Sequence, residues 1–273
     1  MSGFSAEWLA LREAVDARSR WASATTGLED LPGLAGTALI IDLGSGTGAN
    51  CRYLSPRLGR RHDWLLVDHD ASLLARATSG CRSLPSLQSV RTVELDLAAQ
   101  AERLPLAGAA LLTASALLDL VSEAWLARLV GQCRAAALPV LFALSYDGRM
   151  QMSPDDPDDG FIRDAVNAHQ LRDKGFGPAL GPAAVATARA LFMDGGYAVS
   201  CARSDWQLDA HEAGLQRALI EGWAAAAEQL HPEAAGRVRR WTERRLGFVA
   251  AGTSRLVVGH EDLLALPGPA TAI

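Results

Sequence analysis

A glycine-rich segment at residues 42–48 constrains this chain more than any other feature. It reads Asp-Leu-Gly-Ser-Gly-Thr-Gly, follows an apolar run at 38–41, and precedes a helical pattern over 49–58. Glycines have no Cβ atom, so three alternate glycines let the backbone turn sharply and approach a ligand closely. In α/β folds such a turn lies at the carboxyl end of a strand, where nucleotide-like ligands bind. The segment therefore predicts an α/β fold with a ligand site at this turn.

Strands and helices are predicted to alternate along most of the chain. The predicted strands are 38–41, 64–67, 90–95, 109–115, 139–145, 197–202 and 254–259, and the predicted helices are 5–19, 49–58, 71–77, 123–136 and 183–194. This alternation predicts a doubly wound, mostly parallel sheet with helices on both faces. We expect one domain with an N-terminal helical cap (1–36), a loop-rich lid (146–182) and a helical insertion (207–250).

Three consecutive predicted strands each end in a carboxylate. Asp42 precedes the first glycine, where it would suit a cationic ligand better than a pyrophosphate; a capping carboxylate is the alternative. Asp68 follows Gly48 by twenty positions and can accept hydrogen bonds from both hydroxyls of a ribose. Asp96 and Leu97 suit an adenine amino group and an apolar ring contact. The three acids together favour a ligand with adenosine and positively charged parts.

These segments resemble the motifs of class I, Rossmann-like S-adenosylmethionine-dependent methyltransferases. Residues 42–48 resemble the first motif, 67–68 the second, 94–97 the third and 112–120 the fourth, and the terminal strand resembles the antiparallel seventh strand of that seven-stranded fold. The resemblance implies an enzyme that uses S-adenosylmethionine. The expected cofactor-binding residues are Asp42, Gly44, Ser45, Gly46, Gly48, Asn50, Asp68, His69, Asp96, Leu97, Ser115, Ala116 and Arg20.

The resemblance also implies roles for these residues. The glycines would approach the methionyl part, Asp68 would hold the ribose, and Ser115 with Ala116 would line the floor of the site; for Ser115 a strand-end turn is the alternative. The helix at 5–19 is analogous to the cap of many small-molecule methyltransferases. Arg12 or Arg20 would then pair with the cofactor carboxylate, unless each is an ordinary surface arginine. The expected apolar side of this helix comprises Trp8, Leu9, Leu11 and Val15.

The methyl acceptor is expected near the lid, and two residues are candidates for catalysis. Tyr146 follows the fifth predicted strand, and His169 lies in the polar segment 167–174, which otherwise forms a solvated lid helix. An acceptor hydroxyl would need a general base such as His169. Trp206 and Trp223 either wall the acceptor or belong to the core. No Asn/Asp-Pro-Pro-Tyr motif follows the fourth strand, which favours O or N of a small molecule over nucleic-acid bases.

Charge and composition exclude several classes of protein. With 31 acidic and 26 basic residues the net charge is −5, so nucleic acid is not an expected partner. The basic run 237–245 is interpreted as a solvated helix face, and the acidic run 155–159 as a solvated loop or an attractor of cationic acceptors. No signal peptide or membrane span is indicated, so we expect a cytoplasmic protein. Neither the four cysteines nor the six histidines show metal-ligand spacing.

Two other functions share parts of this pattern. Residues 44–49 also satisfy the dinucleotide pattern G-x-G-x-x-A, which is typical of NAD(P)-linked oxidoreductases. None of the tyrosines, Tyr53, Tyr146 and Tyr197, has a lysine four positions later, which disfavours one common form of that enzyme. The third alternative is a catalytically silent protein that keeps the fold and binds a partner.

Overall fold

The computed structural model describes residues 4–29 and 31–268, and its centre is a mixed sheet. The strands are β1 (Leu39–Leu43), β2 (His62–Asp68), β3 (Leu87–Glu94), β4 (Ala109–Ser115), β5 (Val140–Ser153), β6 (Tyr197–Arg203), β7 (Trp206–Leu208) and β8 (Arg255–Pro267). The α-helices are α1 (Ala6–Ser19), α2 (Ala22–Glu29), α3 (Ala49–Leu54), α4 (Ala71–Cys81), α5 (Leu97–Gln100), α6 (Glu123–Ala135), α7 (Asp159–Gln170), α8 (Ala184–Asp194), α9 (Ala213–Leu230) and α10 (Ala235–Ala250).

The strand order is β3-β2-β1-β4-β5-β8-β6. Strands β1 to β5 pair in parallel, whereas β8 is antiparallel to both β5 and β6. The predicted fold class, a mostly parallel sheet with an antiparallel last strand, is confirmed. The short β7, which pairs with β8, is an eighth strand that the prediction lacked. Because the order reverses between β1 and β4, a crevice opens at their carboxyl ends.

Local capping residues explain where several helices begin. The Ser5 hydroxyl accepts the backbone N–H of Trp8 at 3.2 Å, and the Ser122 hydroxyl accepts that of Trp125 at 3.3 Å. The Asp70 carboxylate does the same for the first turn of α4. Each of these side chains satisfies a backbone donor that has no partner within its helix. The cap at Ser122 agrees with the predicted start of that helix at residue 123.

The fifth strand does not end at Ser145 as predicted, but continues to Ser153 as a partner of β8. The register shifts between Tyr146 and Met150, so that Asp147, Gly148 and Arg149 form a bulge, with Gly148 at φ 86°. An Asp-Gly pair is typical of turns, and in this chain it forms the bulge instead. The segment 146–182 therefore begins as sheet, and only its later part is helix and loop.

The last strand is also longer than the predicted 254–259, since β8 extends to Pro267. Glu261 and Asp262 interrupt its apolar pattern, and the prediction therefore ended the strand too early. Asp262 is nevertheless buried, and its carboxylate accepts the backbone N–H groups of Leu144 at 2.7 Å and Trp21 at 2.9 Å. Leu144 adopts φ 54° at a second irregularity of β5, so Asp262 stabilises this distortion from the neighbouring strand.

The core has three parts, each between the sheet and a different group of helices. One face of the sheet packs on α6 and α8, and the other packs on α2, α3 and α4. The third part, which we call the helical layer, joins α7, α9 and α10 to the outer halves of β5 and β8. Trp206 and Trp223 belong to this third core and do not wall a cavity. On α1, Val15 is buried as predicted, but Leu11 is 41% exposed, contrary to the prediction.

The acidic and basic runs noted in the sequence pair with each other. On α10, Arg244 binds Asp156 and Asp158, and the buried Arg245 binds Asp159. Arg237 also binds Asp158 at 2.6 Å. Neither run is simply a solvated face, because these ion pairs attach α10 to the start of α7.

No helix among residues 4–29 and 31–268 combines the length and apolar character needed to cross a membrane.

Candidate functional site

The glycine loop between β1 and α3 is tied to the end of β2. Gly44 and Gly46 have φ values of 58° and 52°, a region that glycine adopts without a steric penalty. The N–H of Gly46 donates to Asp68 Oδ2 at 2.8 Å, and the N–H of Ser45 donates to the carbonyl of Val67 at 3.0 Å. Asp68 Oδ1 accepts the N–H of Asp70 at 3.0 Å. The glycines therefore allow the turn, and the hydrogen bonds of Asp68 hold its carboxylate beside that turn.

A cavity of about 410 Å³ opens at the carboxyl ends of the strands. Its floor is the glycine loop and the residues that follow β2, β3 and β4. Its other walls are α1 with the preceding Phe4, and the segment 173–176. The lining residues outside the predicted cofactor set are Phe4, Leu9, Arg12, Asp16, Thr47, Ala49, Leu73, Leu95, Leu117, Leu120, Asp173, Lys174, Gly175 and Phe176.

Ten of the thirteen predicted cofactor residues line this one cavity. They are Gly44, Ser45, Gly46, Asn50, Asp68, His69, Asp96, Leu97, Ser115 and Ala116. They come from four separate strand ends, so the fold has brought together residues that are up to 72 positions apart (Gly44 to Ala116). Asp96 has a second task, because its Oδ1 accepts the N–H of Ala98 at 2.9 Å and caps α5. Ala116, at φ 53°, holds an unfavourable backbone conformation at the edge of the cavity.

Asp42, Arg20 and Gly48 do not line the cavity. Asp42 is 1% exposed, and Asn50 links it to Arg20 through two hydrogen bonds, Asn50 Nδ2 to Asp42 Oδ1 at 2.6 Å and Arg20 Nη1 to Asn50 Oδ1 at 2.9 Å. Arg20 also approaches Asp262 at 3.7 Å. These residues form a buried polar chain behind the glycine loop. A Cβ on Gly48 would come within 2.9 Å of Cys81 Sγ, so this glycine allows close packing of α3 on α4.

Burial controls the ionisation of this polar chain. It raises the pKa of Asp42 to about 7, although the hydrogen bond from Asn50 and the positive charge of Arg20 act in the opposite direction. Burial likewise lowers the pKa of Arg20, which the charge of Asp262 partly offsets. A buried carboxylate of this kind is uncommon unless a cationic group lies near it.

The two predicted catalytic residues lie outside the cavity lining. Tyr146 donates from its hydroxyl to Asn167 Oδ1 at 2.7 Å, and burial raises the pKa of its phenol. His169 lies at the end of α7, where its Nε2 is 3.0 Å from Gln229 Oε1 of α9. Burial lowers the pKa of His169. His169 does contact a lining residue, because its Nδ1 is 3.4 Å from Lys174 Nζ.

The cavity also contains residues that the sequence motifs did not indicate as site residues. Leu9 of α1 and Phe176 add apolar surface to the lining, and Lys174 brings a positive charge to it. Asp119, in the turn after β4, is buried beside Leu117 and Leu120, and burial raises its pKa to about 6. One sequence signal was available for Lys174, since it is the only lysine among 26 basic residues.

In the part of the chain that the structure describes, no group of three or more His, Cys, Asp or Glu side chains is placed to hold a metal ion.

Several solved structures have the same fold as this chain and indicate its fold class. The candidate methyltransferase BH2331 of Bacillus halodurans C-125 is 11% identical, with a TM-score of 0.51 over 91% of this chain and 99% of that chain. The YcgJ protein of Bacillus subtilis is 12% identical, with a TM-score of 0.50 over 90% and 99%. The mycolic acid cyclopropane synthase CmaA1, in complex with SAH and CTAB, is 10% identical, with a TM-score of 0.50 over 90% and 82%.

No protein-family profile matches the sequence, and no curated protein matches it significantly. The strand order, the antiparallel β8 and these structural similarities show that the chain has the class I methyltransferase fold.

Proposed function

We propose that this protein is an S-adenosylmethionine-dependent methyltransferase that methylates O or N of a small-molecule acceptor. The observation that carries the proposal is the convergence of ten predicted cofactor residues on one cavity at the point where the strand order reverses. Ligands of open α/β sheets bind at such points.

The chemistry of the lining fits the adenosyl and methionyl parts of this cofactor. Asp68 and Asp96 offer carboxylate oxygens, and Leu97 offers an apolar surface for a flat ring. The turn at Gly44 and Gly46 lets a ligand approach the backbone. Asp42, buried directly behind this turn, is hydrogen-bonded to Asn50, which itself lines the cavity.

S-adenosylmethionine supplies an electrophilic methyl group on its sulfonium. The task of the protein is then to orient the acceptor in line with that methyl and to exclude water. Leu9 and Phe176 are suited to the second task, because both are apolar side chains in the cavity lining.

The acceptor is inferred to be a small polar metabolite. Besides the predicted cofactor residues, the cavity lining includes the charged residues Arg12, Asp16 and Lys174, which suit a polar molecule. CmaA1 has the same fold and is a cyclopropane synthase, so the fold by itself does not select the acceptor atom. The preference for an O or N acceptor rests on the polar residues of the cavity lining. The net charge of −5 favours a free metabolite over nucleic acid, and we retain the cytoplasm as the proposed location.

Calorimetry tests the cofactor. We expect S-adenosylmethionine and S-adenosylhomocysteine to bind with micromolar affinity, and NAD not to bind. Asp68→Ala should abolish binding of both adenosyl ligands, since it removes both carboxylate oxygens at the cavity. Asp63→Ala, at the opposite end of β2, is the matched control and should bind normally. Thermal unfolding should accompany the measurement, because Asp68 also binds Gly46.

The other outcomes favour the alternative functions. Binding of NAD without the adenosyl ligands would contradict the proposal and favour an oxidoreductase. If the adenosyl ligands bind, metabolite extracts should be incubated with methyl-labelled S-adenosylmethionine. Absence of label transfer to any metabolite in these extracts would favour a catalytically silent binding protein.

A further inference from the structure

Lys174 stands apart from every other basic residue of the chain. The chain has 26 Lys and Arg residues, and Lys174 is the only lysine among them. Lysine and arginine are not equivalent, because an ammonium is a compact charge with three donors, whereas a guanidinium is planar and bidentate. The one position that departs from arginine lies in the cavity wall.

Among the described residues, the hydrogen-bond partners of the Lys174 ammonium are two neutral acceptor atoms of His169. Its Nζ is 3.3 Å from the carbonyl oxygen of His169 and 3.4 Å from His169 Nδ1. Gln229 Oε1 can only accept, so the His169 ring donates to it from Nε2 and keeps the Nδ1 lone pair for Lys174. These contacts use at most two of the three N–H groups of Lys174, so at least one N–H group has no hydrogen-bond partner among the described residues.

The other charges that line this end of the cavity are already engaged. Arg12 donates to both carboxylate oxygens of Asp16, at 2.8 and 3.2 Å, and stacks 5.0 Å over Trp206. Asp173 accepts the N–H groups of Gly175 and Gly177 at 2.6 and 3.0 Å, and so stabilises its own turn. Among the described residues, no carboxylate forms an ion pair with Lys174, although Asp119 interacts with it electrostatically from the buried layer beneath.

We propose that Lys174 binds an anionic group of the methyl acceptor, a carboxylate or a phosphate, and that His169 positions Lys174 for this contact. The inference rests on the proposed methyltransferase function and narrows its substrate to anionic metabolites. His169 is then a positioning residue, in place of the general base expected from the sequence. Gln229 fixes the tautomer of His169, and the three side chains link α9 to the cavity through the end of α7.

The single lysine gives a direct probe of this contact. Expression with ¹³C,¹⁵N-labelled lysine labels Lys174 alone, because it is the single lysine, and it leaves the three N–H groups of the ammonium intact. In the complex with S-adenosylhomocysteine, acetate or inorganic phosphate should shift the Lys174 signal saturably and raise the pKa of Lys174, which burial lowers in their absence. The lower of the two half-saturation concentrations distinguishes a carboxylate from a phosphate acceptor. Methylammonium chloride at equal ionic strength should have no saturable effect.

Kinetics with fractionated extracts tests the substrate class. Methyl-accepting activity should be retained on an anion-exchange resin. For that fraction, Lys174→Gln should raise KM about 10- to 100-fold, as expected for loss of a hydrogen bond between charged groups, and Lys174→Arg should restore part of the loss. Arg172→Gln removes a charge two residues away that does not line the cavity, and it is the matched control. His169→Gln keeps an acceptor for Lys174 and should therefore preserve kcat. If His169 were the general base, the same substitution would lower kcat.

Three results would overturn the inference. The first is acceptor activity only in the unretained, neutral or cationic fraction. The second is an unchanged KM in Lys174→Gln. The third is weaker binding of S-adenosylhomocysteine, but not of methylthioadenosine, to Lys174→Gln, which would assign Lys174 to the cofactor carboxylate. Failure of the wild-type protein to bind S-adenosylhomocysteine at all would instead contradict the proposed function.

Discussion

At the scale of single residues, the buried chain formed by Asp42, Asn50 and Arg20 is the most unusual feature. Asn50 Nδ2 also donates to Thr113 Oγ1 of β4 at 3.1 Å, so the chain joins β1, α3 and β4 behind the glycine loop. Asp42 Oδ2 has no hydrogen-bond partner among the described residues. A buried carboxylate with one unsatisfied oxygen costs folding free energy, and that cost depends on its ionisation.

Asp42→Asn should change how stability depends on pH. The pKa of Asp42 is about 7 in the folded protein, against about 3.9 for an unfolded chain. Between these values the folded state holds a proton that the unfolded state has lost, so the Asp42 contribution to stability falls as pH rises from 4 to 7. The variant lacks this loss. Its stability relative to wild type should rise over that range, by at most about 4 kcal/mol.

Urea unfolding at several pH values measures this difference. Asp194→Asn, at an exposed position of α8, provides the control and should follow the wild type at every pH. A stability difference between Asp42→Asn and wild type that does not change with pH would contradict the prediction.

Sequence reasoning placed residues at the cavity where the motif is local. Gly44, Gly46 and Asp68 lie at the carboxyl ends of strands. Their position at a strand end places them at the cavity and does not depend on contacts with residues distant in sequence. Arg20 was less predictable, because its direction depends on Asn50 and Asp262, which are 30 and 242 positions away. Lys174 was missed as a site residue, since no local pattern marks it and only its rarity in the whole chain does.

At the scale of elements, α1 covers the glycine loop. A Cβ on Gly46 would come within 3.0 Å of Leu9 Cδ1, so the helix lies directly on the turn. Glu13 of α1 pairs with Arg52 of α3 at 2.6 Å, and Arg52 also donates to the carbonyl of Thr47. These contacts attach α1 to the middle of the glycine loop and to the helix α3 that follows it.

Leu9→Ala should weaken binding of S-adenosylhomocysteine roughly tenfold, since truncation of a partly buried leucine removes about 1–2 kcal/mol of apolar contact. Leu11→Ala is the matched control on the same helix. Leu11 is 41% exposed and does not line the cavity, so its affinity should be unchanged. Calorimetry compares the two variants, and equal affinities would show that α1 does not cover the bound ligand.

The ends of β5 and β8 show why element boundaries were harder to predict than element types. Periodicity identified the apolar part of each strand. It could not show that Asp147 and Gly148 form a bulge, or that Asp262 is buried to accept backbone N–H groups. In both cases a polar residue inside the strand has a partner that is distant in sequence, and the local pattern therefore resembles a strand end.

At the scale of the whole molecule, the helical layer is joined to the sheet by shared strands and by buried charge. Strands β5 and β8 run through both parts. Arg245 is fully buried, and it donates to Asp159 and to the carbonyl of Pro154. Trp241 Nε1 donates to the same Asp159 at 2.8 Å. We therefore expect the described chain to unfold as one cooperative unit.

Arg245→Ala should destabilise the whole protein by roughly 3–5 kcal/mol, because it leaves the carboxylate of Asp159 without its buried partner. Arg240→Ala, at an exposed position of the same helix, should cost little. Far-UV circular dichroism and tryptophan fluorescence should report coincident urea transitions for both variants. Two separated transitions for Arg245→Ala would mean that the helical layer unfolds independently.

The position of β8 has a consequence for hydrogen exchange. Residues 256–258 lie between β5 and β7, and residues 263–265 lie between β5 and β6, so most of the strand has neighbours on both sides. Its amide protons are hydrogen-bonded to neighbouring strands on both sides, so we expect them to be among the slowest to exchange in the described chain, with a protection that approaches the global free energy of unfolding. Peptides from β8 thus form an internal reference, against which faster exchange in α1 or at 173–177 measures how often the cavity opens.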